Sequence, residues 1–249
     1  MVTGLELFRD FFEGDEDKYV LIGGAACDIC FTADSSSFRA TKDLDIVLIV
    51  EALTPEFGRK MWAFIDEGDY IHKATANGKP QFFRFTEPQN PEYPKMIELF
   101  ARPDFEPPSD SILTPIHVDD EMSSLSAILL NEDYYQILLE GRQVIDKLSV
   151  LRPEYLILFK AKAYLDLKAK KDSGETIRSS EYKKHKKDIL RIIVELKVES
   201  PSNLPITIQR DIQSFIDSLA SEPFDVNTLI NYGVSTEEVA DRLREVFLI

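Results

Sequence analysis

The stretch that decides the fold is residues 19–50, which read YVLIGGAACDICFTADSSSFRATKDLDIVLIV. The apolar run Tyr19–Ile22 stops at a Gly-Gly pair, which is typical of a short buried strand followed by a tight turn. Residues 25–31 have the composition of a helix that begins at the glycines. A polar loop then leads to residues 44–50, whose β-branched and apolar side chains predict a central strand.

Two aspartates flank Leu44 at the start of this second strand. Because side chains two residues apart on a strand point to the same face, Asp43 and Asp45 should lie side by side. Neighbouring carboxylates repel each other unless a cation lies between them. Mg²⁺ suits such a pair, because it prefers oxygen ligands and is often shared with substrate phosphates. The alternative is a solvated strand end, since Asp-x-Asp is common by chance.

The Gly23-Gly24 pair lies between the predicted strand and the predicted helix. Glycine lets the backbone approach a phosphate closely, and the N-terminus of a helix favours an anion. The pair is therefore a candidate phosphate site. The alternative is a tight turn that binds no ligand.

The rest of the chain shows two kinds of sequence pattern. Alternation predicts further strands at residues 81–85 and 95–100, and helical spacing predicts helices at residues 5–12 and 55–65. After Pro153 the pattern becomes helical, with helices predicted at residues 153–171, 181–197, 207–219 and 236–247. We therefore predict an α/β protein with an α/β core over residues 1–120 and a mainly helical domain over residues 121–249.

Charge is distributed unevenly along the chain. The net charge is −15, which disfavours broad nonspecific binding of nucleic acid. Residues 159–191 nevertheless hold 11 Lys and Arg against five acids, so this window is at +6 and the remainder at −21. The window is a candidate polyphosphate site, and the alternative is a solvated helical face.

Two observations bear on location. No apolar run approaches the roughly 20 residues that span a bilayer, and the acidic residues 1–18 lack the pattern of a signal peptide. We expect a cytoplasmic protein with no membrane partner.

The combination of YVLIGGAACDICF with RATKDLDIVL resembles the nucleotidyltransferase superfamily of the polymerase-β type. The resemblance implies a mixed sheet with flanking helices and two metal-binding catalytic acids, which Asp43 and Asp45 match. A third acid often lies on a later strand, and Glu98 in MIELF matches it. Mg²⁺ is the implied cofactor.

The helical half narrows the resemblance. The segments LRPEYLILFKAKAYLDLKAKKDSGE and KKHKKDILRI are similar to the AbiEii-type branch, which includes toxins of toxin–antitoxin systems. The branch implies a nucleotide site formed in part by a lysine and an aspartate on successive helices, matched by Lys160 and Asp188. It also places a Ser or Thr before the acids, matched by Thr41.

The resemblance predicts a Mg²⁺-dependent enzyme that transfers a nucleoside monophosphate from an NTP to an acceptor. Gly23, Gly24, Thr41 and Lys160 would hold the phosphates. The acceptor is left open among RNA, protein and a small molecule. One alternative is a nucleotide-binding module without catalysis, which would gain if Glu98 did not face the aspartates. The other is a toxin that acts through a complex with an antitoxin.

Overall fold

The computed structural model describes residues 2–72, 82–100, 128–129 and 131–249. These residues form two compact units. The first takes in the described residues up to Phe100 together with Arg142–Leu151, and the second takes in residues 128–141 and 152–249. The predicted boundary at residue 120 lies outside the described residues. Residues 142–151, which the sequence analysis assigned to the helical domain, belong instead to the sheet of the first unit.

Within the described residues, the first unit contains a mixed seven-stranded sheet of order β3-β4-β5-β2-β1-β7-β6. Strand β2 is antiparallel to β1 and parallel to β5, and β1 is parallel to β7. Strand β2 therefore lies in the middle of the sheet, which confirms the predicted central strand. The strands are β1 Tyr19–Ile22, β2 Asp43–Leu48, β3 Ile71–His72, β4 Phe82–Thr86, β5 Met96–Phe100, β6 Arg142–Ile145 and β7 Leu148–Leu151.

Three helices complete the described part of this unit, α1 Leu5–Phe11, α2 Gly23–Ala33 and α3 Pro55–Gly68. Helix α2 begins at the Gly-Gly pair, as predicted, and its residues from Gly24 to Phe31 are all buried. Helix α3 begins after Thr54, whose hydroxyl accepts the backbone N–H of Phe57 at 3.2 Å, an N-cap that satisfies a donor of the first turn.

The second unit is helical in its described part. Its helices are α4 Glu132–Glu140, α5 Pro153–Asp172, α6 Ser179–Glu195, α7 Ile206–Ser221, α8 Val226–Tyr232 and α9 Thr236–Phe247. Pro153 occupies the first turn of α5, where its missing N–H costs nothing. Helix α9 begins with a capping box, because the Ser235 hydroxyl accepts the backbone N–H of Glu238 and the Glu238 carboxylate accepts the backbone N–H of Ser235.

Helix α5 is buried over most of its length. It packs chiefly against α6 and α7, which explains why its sequence is apolar on more than one side. In the part of the chain that the structure describes, no helix has both the length and the apolar character needed to cross a bilayer.

Candidate active site

The Gly-Gly turn lies directly against the second aspartate of the Asp-x-Asp pair. Strand β1 ends at Ile22, which pairs with Asp45 on β2. Gly23 follows with φ of +65°, a left-handed conformation that glycine adopts without the steric cost of a Cβ. A Cβ added to Gly23 would overlap the carboxylate of Asp45. The turn therefore requires glycine both for its backbone conformation and for the space that Asp45 occupies.

The second glycine makes an equally close approach to Thr41. A Cβ added to the buried Gly24 would lie 2.8 Å from the Oγ1 atom of Thr41. Thr41 precedes β2 and is partly exposed. Together, these contacts bring four predicted site residues to the start of α2: Gly23, Gly24, Thr41 and Asp45. A helix N-terminus at this position presents backbone N–H groups that favour an anion.

The three predicted catalytic acids share one face of the sheet. Asp43 and Asp45 alternate with the buried Leu44 along β2, and both are partly exposed. Glu98 on β5 pairs in register with Asp45, and residues opposite each other on neighbouring strands point to the same face. The resemblance predicted Glu98 from its order and its place in a strand, and the register puts it opposite Asp45.

Glu98 has a partner that the sequence analysis missed. Arg84 on β4 pairs in register with Glu98, and its Nε and Nη2 atoms lie 2.8 and 2.6 Å from Glu98 Oε1. A signal was present, because QFFRF places one arginine among phenylalanines in a predicted strand. Finding its partner requires the order and register of β4 and β5, which the sequence pattern does not reveal.

The donor set fits a divalent cation only in part. Asp43 and Asp45 supply two carboxylates on one face, which suits Mg²⁺ when substrate phosphates complete its coordination. Among residues 2–72, 82–100, 128–129 and 131–249, no three His, Cys, Asp or Glu side chains group closely enough to hold a metal ion. A cation here would depend on the aspartate pair, and the metal role of Glu98 stays a prediction.

Lys160 on α5 and Asp188 on α6 form a buried ion pair inside the second unit. Lys160 Nζ donates to Asp188 Oδ2 at 2.8 Å, and the side chains are only 6% and 2% exposed. Asp188 therefore fixes the Lys160 ammonium, and Lys160 is not part of a solvated helical face. The nucleotide-binding role of both residues stays a prediction.

Gly23→Ala is expected to destabilise the protein more than Gly233→Ala. Both glycines have nearly the same φ, +65° and +62°, so alanine suffers a similar backbone cost of roughly 1–2 kcal/mol at each. The added Cβ meets another group at Gly23 but not at Gly233, where no atom lies within 4 Å of the Cβ position. We expect Gly23→Ala to lower the free energy of unfolding by a further amount of about 1–3 kcal/mol, as overpacking in a core does.

Urea unfolding of the two alanine variants measures this difference in the free energy of unfolding. Equal losses in both variants would show that Gly23 is required for its φ alone, and that Asp45 does not need the space.

Comparison with known proteins bears on the fold. No protein-family model matches the chain, and no curated protein matches its sequence. A crystal structure of an antigenic nucleotidyltransferase-like protein from Paracoccidioides brasiliensis matches with a TM-score of 0.50. The match covers 98% of this chain and 95% of that chain. The fold is nucleotidyltransferase-like.

The sequence identity over this match is 14%, so the likeness concerns the fold and not the residues of the site. The nucleotidyltransferase-like fold confirms the predicted α/β class with a mixed sheet. The AbiEii-type branch stays a prediction.

Proposed function

We propose that the protein transfers a nucleoside monophosphate from an NTP to an acceptor at the site formed by Asp43, Asp45 and the Gly23-Gly24 turn. The observation that carries the proposal is the close approach of Gly23 to Asp45. It puts a helix N-terminus that suits a phosphate beside a carboxylate pair that suits a cation. A tight turn with no ligand would not require an acidic side chain against the glycine.

The residues of the chain would act mainly by positioning. The backbone N–H groups at the start of α2 would bind the phosphates, and the Thr41 hydroxyl, next to Gly24, would add a hydrogen bond. Asp43 and Asp45 would hold Mg²⁺, which supplies charge neutralisation at the α-phosphate when it is bound. In the transfer, the nucleophilic atom of the acceptor bonds to the α-phosphorus, and the bond from that phosphorus to the bridging oxygen breaks. Pyrophosphate leaves with the bonding electrons, and the proton of the acceptor goes to solvent.

The direct test uses the four NTPs, each labelled at the α-phosphate, with Mg²⁺ and three separate acceptor pools. The pools are total RNA, protein and the small-molecule fraction of a cell extract. Label that enters one pool, with an equal amount of pyrophosphate released, supports transfer and identifies the class of acceptor. Binding of NTPs without label in any pool would contradict it.

A nucleotide-binding module without catalysis is the second candidate, and the Arg84–Glu98 ion pair favours it. A guanidinium that holds the third acid at 2.6–2.8 Å competes with a cation for that carboxylate. The toxin role and an antitoxin partner rest on the AbiEii-type resemblance of the helical half and stay predictions.

Arg84→Gln is expected to strengthen the binding of a divalent cation roughly threefold to tenfold, because it removes a positive charge next to the acidic face. Mn²⁺ titration followed by electron paramagnetic resonance measures the affinity. Arg59→Gln is the matched control, since Arg59 pairs with Glu56 on the exposed surface of α3. Unchanged Mn²⁺ affinity in Arg84→Gln would show that the cation does not bind near Glu98.

A further inference from the structure

The second unit contains a cavity of about 350 Å³ whose lining holds three lysines of α6, Lys183, Lys186 and Lys187. The opposite wall is the segment that follows α7, residues 222–225, and Thr228 of α8. This volume is at the lower end of the range for small-molecule sites. All of these residues belong to the second unit, and the lining includes neither the glycine turn nor the aspartates.

Lys186 is fixed in the wall of the cavity. Its side chain is buried, and Nζ donates to the carbonyl oxygens of Glu222 at 2.7 Å and Pro223 at 3.2 Å. The rings of Tyr164 and Phe224 each lie 5.7 Å from Nζ, at distances that suit cation–π attraction. An ammonium has three N–H donors, so one remains beyond these two bonds. Burial lowers the pKa of Lys186, and a bound anion would raise it again.

The two acids in the lining already accept hydrogen bonds from other groups. The Glu222 carboxylate accepts hydrogen bonds from the Tyr164 hydroxyl at 2.9 Å and from Lys168 at 3.0 Å. The Asp225 carboxylate accepts from the backbone N–H of Thr228 at 3.0 Å and from its hydroxyl at 2.9 Å, as the N-cap of α8. The hydrogen bond from Lys168 is the main cause that lowers the pKa of the Glu222 carboxyl. The hydrogen bond from the Thr228 backbone is the main cause that lowers the pKa of the Asp225 carboxyl.

Lys183 and Lys187 also line the cavity, and the charge of Lys187 contributes to the lowered pKa of Asp225. They are exposed, and neither makes an ion pair within the part of the chain that the structure describes. They are four residues apart on α6, so they lie on the same side of the helix and their like charges repel. With Lys186, they bring to three the number of lysines in the lining of the cavity.

We propose that this cavity binds a small phosphate monoester. A phosphate carries nearly two negative charges and several acceptor oxygens, which matches three lysines in one lining better than a single carboxylate does. The apolar side chains of Leu190, Pro223 and Phe224 provide walls for the organic part of the ester. The proposal goes beyond nucleotide transfer, since it requires neither Asp43 nor Asp45, and it stands if no transfer occurs.

The test is binding of phenyl phosphate and of inorganic phosphate to the full chain, measured by calorimetry in a phosphate-free buffer. We expect Lys183→Gln with Lys187→Gln to weaken phenyl phosphate binding at least tenfold. The matched control is Lys184→Gln with Lys197→Gln, which removes two charges from exposed lysines outside the cavity lining and should leave the affinity within twofold. Both double variants change exposed side chains, so both should unfold at the same temperature as the original protein.

Phosphate could also bind at the glycine turn, and backbone amide chemical shifts separate the two sites. Shifts at Thr228 and Lys187 on addition of phenyl phosphate support the cavity, whereas shifts confined to Gly23 and Gly24 would overturn the proposal. Absence of binding at about 10 mM, or an equal loss of affinity in both double variants, would overturn it as well. So would binding of a 5′-phosphorylated oligonucleotide without binding of phenyl phosphate, since the ligand would then be a nucleic acid.

Discussion

Asp43→Asn combined with Asp45→Asn is expected to lower nucleotide transfer at least about a thousandfold, while the protein remains folded. Asparagine keeps the shape of each side chain but removes the two negative charges that would hold the cation. Because both residues lie partly exposed at the start of β2, the change does not disturb the buried residues of that strand. The rate of pyrophosphate release measures transfer, and circular dichroism checks the fold.

Asp34→Asn is the matched control for this variant, since Asp34 is an exposed aspartate at the end of α2. It should transfer at the rate of the original protein. Transfer by the double asparagine variant at the original rate would show that the two aspartates are not the cation site. The proposed reaction would then need another site.

Asp188→Asn is expected to destabilise the protein by about 3–5 kcal/mol, because it leaves the ammonium of Lys160 buried without its carboxylate. Lys160→Met should cost a similar amount for the converse reason. Combining Lys160→Met with Asp188→Leu removes both charges and should recover much of the loss, since a desolvated pair is worth little more than apolar side chains of similar size. Urea unfolding measures all three variants.

The exposed pair of Arg59 and Glu56 serves as the control for the buried pair. Its side chains are 64% and 75% exposed, so breaking it by Glu56→Gln should cost less than about 1 kcal/mol. If Asp188→Asn cost no more than this, the buried pair would contribute nothing to stability. The size of the loss also matters for a functional test of Lys160. A Lys160→Ala variant can report on nucleotide binding only under conditions in which it is folded.

Local spacing was enough to predict the part of the site that lies close in sequence. The side chains that share a face follow from the local order of a strand, two glycines, a helix and two aspartates separated by one residue. The partners of those residues depend on which strands are neighbours. Glu98 lies beside Asp45 only because β5 pairs with β2, and Arg84 reaches Glu98 only because β4 pairs with β5. Such pairings join distant segments, and periodicity says nothing about them.

The hairpin of β6 and β7 was missed for a local reason. Tight hairpins are usually signalled by Asn-Gly or Asp-Gly, because both turn residues need positive φ. Here the turn is Asp146-Lys147, with φ of 47° and 61°, so the glycine that would have indicated it is missing. The short helices α4 and α8 were missed as well.

Strand β1 obtains its second neighbour long after its own synthesis. Leu21 pairs with Val150, and every strand from β2 to β5, together with α4, precedes that partner along the chain. Until the ribosome has released residue 150, the apolar strand YVLI has an open edge of the kind that pairs with other chains. A nascent chain of this protein is therefore expected to need protection by a chaperone until its hairpin emerges.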